Sequence, residues 1–163
     1  MGSFFFSGSV ATRIDDKGRF VLPQNMRLGL VENGALEFSL ALGLGGCLSI
    51  YRKSDIDRIV DRFREKQHLG RYQRFFTLFF STLHTTTCDK LGRVGIPPLL
   101  KKTVQLKDEI VVAGVLNRIE IWSRDRYDDQ VGPAAAGREP QLTDMIEEAF
   151  ALLGETSSVE MPL

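Results

Sequence analysis

Apolar residues in this chain come in short bursts that alternate between strand and helix periods, and glycine or proline closes most of them. Phe4 to Phe6 and Val10 to Ile14, joined by small residues, predict a strand that leads into a turn. After Pro23, apolar Met26, Leu28, Leu30 and Val31 fit a short helix that breaks near Gly34. Residues 35–40 and 47–51 predict two strands of a hairpin joined by ALGLGG. From Ser54 to Gly70 one helical face carries Ile56, Ile59, Val60 and Phe63; Ser54 suits the N-cap, with Asp57 three residues on, and Gly70 suits the stop. Helical spacing continues through Tyr72, Phe75, Phe76, Phe79 and Phe80. Core packing against the sheet is the expectation for this aromatic stripe, with a platform for a ligand or nucleobase as the alternative. Arg71 and Arg74 lie on its other side, as partner contacts, DNA contacts or a solvated edge.

Thr82 to Cys88 predicts another strand, and Pro97 and Pro98 open a short helix, LLKKTVQL, where a missing N–H costs nothing. Glu109 to Val115 and Arg118 to Trp122 predict a hairpin with Leu116 and Asn117 at its tip. Past Tyr127, GPAAAGREP reads as a linker. Gln141 to Leu153 predicts an amphipathic helix with Leu142, Met145, Ile146, Ala149, Phe150 and Leu153 on one stripe and acids on the other. Such a stripe must be buried against the chain's own body or against another subunit. The last residues, GETSSVEMPL, read as a disordered tail.

Laid over this pattern is a repeat. Asp15 to Pro23, DDKGRFVLP, returns at Asp89 to Pro97 as DKLGRVGIP, and both read DxxGRxxxP. At background usage of about 7% for Gly and about 5% each for Pro, Asp and Arg, the match recurs by chance about once in 10^5 windows. That is too rare to be accidental in so short a chain. Asp at the first position and Gly at the fourth suit a type I turn; an arginine then opens a short apolar run that a proline ends. IEIW at 119–122 also matches LSIY at 48–51, so the repeated unit is about 70 residues long.

Composition narrows the class. The chain has 163 residues, 43% hydrophobic and 26% charged, which fits a water-soluble globular protein with one good core or two small linked ones. No apolar run approaches the roughly 20 residues that span a bilayer. The FFF near the start is too short and lacks the basic flank of a secretory signal, and Gly2 with Phe6 fails the N-myristoylation pattern. Cys47 and Cys88 fall in predicted strands and read as buried thiols of a reducing compartment, so the expected location is the cytoplasm. Net charge is zero, which taken alone argues against a nucleic-acid binder. The distribution differs: residues 131–163 carry one base and six acids, leaving an excess of five positive charges on the rest.

The inventory assembles no enzyme site. His68 and His84 are the two candidate bases, neither in a nucleophile motif, and with Cys47 and Cys88 they are too few and too scattered for a zinc site. Neither turn is a phosphate-cradling GxxxxGKS loop. No catalytic residue, metal or cofactor is expected. The concentrated chemistry is the repeated basic turn, with Lys17 and Arg19 in one copy and Lys90 and Arg93 in the other. Arginine forks on rigid strand ends hold phosphates and pair with guanine O6 and N7. Two structural ion pairs, Asp15 with Arg19 and Asp89 with Arg93, account for the same residues, and the residues alone favour neither.

The chain resembles the MraZ family of bacterial transcriptional regulators, whose members carry two DxxxR motifs in tandem AbrB-like (SpoVT-AbrB) halves. Asp15 and Arg19 in DDKGR, and Asp89 and Arg93 in DKLGR, stand at the family's motif positions; the SGS near Gly8, LSIY and AGVLNRIEIW are also family-like. The resemblance covers about residues 4–130. It implies an α+β fold in which two swapped-hairpin halves, 4–81 and 82–131, interleave into a pseudo-dimeric, barrel-like sheet, followed by the linker, C-terminal amphipathic helix and tail over 132–163. It also implies a cytoplasmic, nucleoid-associated, ring-like homo-oligomer without a membrane. Such an oligomer binds short direct repeats in double-stranded promoter DNA ahead of the cell-division and cell-wall gene cluster, which includes its own gene. Arg19 and Arg93 would contact the DNA, Lys17 and Lys90 its phosphates; Asp15, Gly18, Asp89 and Gly92 would hold the turns. The rival expectation is an antitoxin-like AbrB-fold module whose acidic C-terminal segment binds a protein partner. An enzyme acting on RNA or nucleotides through His68 or His84 has no other support.

Overall fold

The computed structural model describes residues 4–132, 137–138 and 141–155. One compact unit ends at Arg124 and a second begins at Asp125. In chain order the first unit holds β1 (Ser9–Arg13), β2 (Arg19–Val21), α1 (Gln24–Leu30), β3 (Val31–Glu32), β4 (Ala35–Leu36), β5 (Phe38–Leu42), β6 (Leu48–Arg52) and α2 (Lys53–Lys66). A 3-10 turn (Gly70–Tyr72) follows, then α3 (Gln73–Thr82), β7 (His84–Thr86), β8 (Arg93–Gly95), α4 (Pro98–Thr103), β9 (Glu109–Val115) and β10 (Arg118–Ser123).

The strands pair across the repeat. Six of them form an antiparallel sheet in the order β1-β9-β10-β6-β5-β7. β1, from the first copy, pairs with β9 of the second; β7, from the second, pairs with β5 of the first. At the centre β10 meets β6 with Ile119 opposite Ile50 and Ile121 opposite Leu48, so IEIW and LSIY lie side by side about a pseudo-twofold axis. β2 and β8, the apolar runs after the two DxxGR turns, pair among the described residues only with each other, as an antiparallel ribbon. This is the expected interleaving of two halves in one α+β body.

Alternation explains where the core sits. Phe20 and Val94 point inward from the ribbon, and Leu40, Leu48, Ile50, Ile110, Val112, Ile119 and Ile121 point toward them from the sheet, all at 1% exposure or less. Met26 and Leu30 of α1 and Leu100 of α4 complete the same cluster. On the other face of the sheet, Ala41 packs with Ile56 of α2 and Phe79 of α3.

Four expectations are corrected. Val31 ends in a hairpin rather than a helix, because Asn33 (φ 53°) and Gly34 (φ 76°) supply the two left-handed residues of a tight β-turn between β3 and β4. Ser54 is not an N-cap. Arg52 holds that position, and the Ser54 N–H (3.0 Å) and hydroxyl instead donate to the carboxylate of Glu32 on β3, while Asp57 takes Lys53 at 3.3 Å. The aromatic stripe is only partly core: Phe79 is buried, whereas Tyr72, Phe75 and Phe80 are exposed. Phe80 is turned about 100° from Phe79 and leaves the sheet-facing side, whereas Phe75, only about 40° from Phe79 and 5.4 Å from its ring, lies one turn earlier and stays 39% exposed. The stripe packs chiefly on α2, where Phe63 meets the rings of Phe75, Phe76, Phe79 and Phe80 at 5.3, 5.7, 5.4 and 6.1 Å. Finally, the cysteines lie beside strands: Cys47 just ahead of β6, Cys88 in the segment after β7. Burial pushes the Cys47 thiol up to about 12, leaving it protonated and unreactive at neutral pH.

The second unit contains most of α5 (Arg124–Gln130), which follows β10 as α2 follows β6, and α6 (Leu142–Glu155). The Tyr127 carbonyl closes α5 by accepting the N–H groups of Val131 and Gly132 at 2.8 and 2.7 Å. The predicted amphipathic helix is α6. Most of GPAAAGREP, and the tail from Thr156 on, lie outside the described residues.

Because each half lends a strand to the other, the first unit should unfold as one cooperative step. Urea transitions followed by Trp122 fluorescence and by far-UV circular dichroism should coincide, and Ile50→Ala at the central strand pair should cost about 2–5 kcal/mol.

Candidate nucleic-acid interface

The two DxxGR loops close with the same set of bonds. In the first, the Asp15 carbonyl accepts the Gly18 N–H at 3.0 Å, which makes a type I turn, and the Asp15 N–H donates to the Arg19 carbonyl at 2.7 Å. Gly18 sits at φ 79°, the left-handed residue that brings the chain back into register with its partner strand. The Asp15 carboxylate then ties the loop: Oδ1 accepts the N–H groups of Lys17 and Arg19, both at 2.9 Å, and Oδ2 accepts Arg19 Nε at 3.0 Å. In the second loop Gly92 donates to the Asp89 carbonyl at 3.0 Å with φ 80°. Asp89 Oδ1 accepts Leu91 and Arg93 N–H at 3.0 and 2.8 Å, and Oδ2 accepts Arg93 Nε at 2.6 Å.

Both aspartates are held below the ordinary carboxyl value of 3.8, chiefly by the backbone N–H of Arg19 and of Arg93 respectively. The contribution of these charges to stability is therefore complete above that value and disappears as the pH falls through the lower folded-state value.

The loops are also joined to each other. The Leu22 N–H donates to the Gly92 carbonyl and the Ile96 N–H to the Gly18 carbonyl, both at 2.9 Å. In the ribbon Arg19 is opposite Gly95 and Val21 opposite Arg93. Side chains alternate along a strand, so Arg19, Val21, Arg93 and Gly95 share the outward face while Phe20 and Val94 share the buried one. With two residues of rise and one interstrand step between them, the Arg19 and Arg93 Cα atoms are about 8 Å apart.

Each aspartate engages its arginine through Nε, so the ion pair orients the guanidinium and leaves its outer nitrogens for another acceptor. The structural pairing and the outward presentation thus coexist. The arginine side chains are 28% and 30% exposed. Lys17 and Lys90 are exposed in the loops, but they are not equivalent: Leu91 occupies the position of Lys17, and Asp16 that of Lys90. His68 is exposed after α2, and His84 lies on β7 opposite Leu40.

One basic residue escaped the sequence reading. Arg27 of α1 donates through Nη1 to the Leu22 carbonyl, and its guanidinium occupies the space a Cβ on Gly92 would fill. Lys101 stands at the same offset from Arg27 as Asp89 from Asp15, a signal the repeat contained; its ammonium is 3.8 Å from Asp108.

Comparison with known proteins places this geometry in a family. The family described as "MraZ protein, putative antitoxin-like" matches residues 5–75 and again 79–148. The chain belongs to the MraZ family. A relative in Cytophaga hutchinsonii, named transcriptional regulator MraZ, is 33% identical over 124 residues, 76% of this chain and 82% of its own. Another of the same name, from Natranaerobius thermophilus, is 29% identical over 143 residues, 87% of this chain and 97% of its own. The tandem match agrees with the two loops and the pseudo-twofold sheet of the MraZ chain described above.

Two outcomes follow. Gly18→Ala has space, its nearest non-neighbouring atom being the Ile96 carbonyl oxygen at 3.5 Å, and should cost only the left-handed backbone penalty of about 1–2 kcal/mol. Gly92→Ala must also displace Arg27 and should cost more in the same urea titration. Replacing both aspartates by asparagine should flatten the fall in stability that the parent shows below pH 3.8.

Proposed function

We propose that the protein is a transcriptional regulator that binds double-stranded DNA through the β2–β8 ribbon. The observation that carries this reading is the pair of aspartate-aimed arginines on one outward face. A two-stranded antiparallel ribbon fits the major groove, and arginine forks about 8 Å apart can meet base edges two or three steps apart. Arg19 and Arg93 contact the DNA, and Lys17 and Lys90 neutralise phosphates on either side. Asp15, Gly18, Asp89 and Gly92 fix the loops so that little ordering cost remains on binding.

In this reading the halves are residues 4–81 and 82–131. The target is the set of short direct repeats in the promoter of the division and cell-wall gene cluster that includes the protein's own gene. A ring-like homo-oligomer in the cytoplasm, associated with the nucleoid, places several subunits on successive repeats, so weak single contacts add to a specific complex. The relatives' names support regulation, and the pseudo-symmetric basic ribbon supports DNA as the ligand.

The family's antitoxin-like description favours one rival, a module whose acidic C-terminal segment binds a protein partner. Fluorescence anisotropy separates the two. The parent should prefer DNA from upstream of its own gene over scrambled DNA, with log affinity falling linearly as log salt rises. Arg19→Ala and Arg93→Ala should each lose about 1–3 kcal/mol of binding, and Arg19→Lys should keep the salt slope while losing sequence preference. Equal binding to both DNAs, or folded alanine variants that bind like the parent, would sink the proposal. If removing residues 132–163 abolishes the main binding activity while the ribbon stays intact, the rival holds.

A further inference from the structure

The ribbon leaves unused an apolar face on α3. Phe75 and Leu78, about 60° apart on the helix, are 39 and 43% exposed on one side of it, whereas Phe80 lies beyond the buried Phe79 on another side. Arg71 and Arg74 are not on the opposite side from Phe75, as the aromatic spacing alone suggests: with Phe75 and Leu78 they follow the i, i+3, i+4, i+7 spacing of one stripe, so the exposed apolar pair is edged with positive charge. The Arg71 guanidinium lies over the Tyr72 ring at 4.8 Å. α3 contains no acid, and neither Arg71 nor Arg74 forms an ion pair among the described residues.

α6 has the complementary character. Leu142, Met145, Ile146, Phe150 and Leu153 are 48 to 68% exposed, and the helix sequence carries Asp144, Glu147, Glu148 and Glu155 with no basic residue. At 100° per residue Glu147 and Glu148 fall on opposite sides of the apolar stripe.

We infer that α6 of one copy docks its apolar stripe on the α3 face of a second copy. Charge selects this pairing. α3 against α3 would set Arg71 and Arg74 against their own copies, and α6 against α6 would set Asp144, Glu147 and Glu148 against theirs; the crossed contact puts bases on one rim and acids on the other. The lengths agree: a 14-residue α6 is about 21 Å long, and α3 with its preceding 3-10 turn is about the same. Two different surfaces in contact make a head-to-tail interface, which closes into a ring when the rotation allows. The inference rests on the homo-oligomer of the proposed function and names the surfaces that build it.

Sedimentation velocity on the full chain tests it. The parent should sediment as a large oligomer. Phe75→Asp with Leu78→Asp, and separately Met145→Asp with Phe150→Asp, should each give monomers that keep the parent's far-UV circular dichroism spectrum; both melt lower than the parent, the first pair more so because Phe75 also gives up its ring contact with Phe63. Mixed one to one, the two variants retain a single intact pair of faces and should form dimers and nothing larger. A monomeric parent, variants that keep the parent's size, or a mixture that stays monomeric or grows past the dimer would each overturn the contact. DNA binding separates this from the earlier proposal. A monomeric parent that still prefers its promoter removes the interface alone, and the full assembly pattern without any DNA preference removes the DNA reading alone.

Discussion

Everything in the first unit depends on the exchange of strands between the two copies of the repeat. Neither copy owns a complete sheet: β1 finds its partner in β9, β7 in β5, and β2 in β8. Backbone donors of a strand left without its partner would lose a row of hydrogen bonds inside a dry core, so neither half can settle alone. The two N–H bonds that cross from Leu22 to Gly92 and from Ile96 to Gly18 carry this dependence into the loops. A basic loop in one copy is therefore held by the strand of the other, and its position follows from the register of the whole body.

Within that frame the ion pairs act as aiming devices. A lone surface pair of this exposure contributes little to stability. Its value here is geometric, because the same carboxylate that takes Nε also takes two backbone N–H groups, fixing loop and guanidinium together. Orientation is settled before any ligand arrives. Arg27 shows that the second loop has an extra brace, so the two sites are similar without being identical.

Much of this was legible in the sequence because it is local. The DxxGR turns announce themselves through Asp and Gly at fixed spacing, and the β9–β10 hairpin through strand periods broken at Leu116 and Asn117. Partnership between distant strands is not local, and it came from the family resemblance rather than from any period. Most of the departures trace to partners distant in sequence. Ser54 looked like a cap until Glu32, 22 residues upstream, took its hydrogen bonds. The aromatic run reads as sheet-facing core, but its rings gather on Phe63 of α2, which lies outside the run, and Phe75 and Phe80 stay exposed. Arg27 is one basic residue among many in a linear reading, and only folding lays it against Gly92. The Asn33-Gly34 turn is local and carries its own signal, an Asn-Gly pair directly after the apolar residues of a helix that ends at Leu30.

A symmetric dimer made of two separate half-chains would have to carry every substitution twice, once in each loop. Here the loops are encoded separately, and they have already diverged: Asp16-Lys17 in one, Lys90-Leu91 in the other. The ribbon therefore has a head and a tail. A molecule laid along it meets different side chains according to which way round it lies, a polarity that identical halves could never impose.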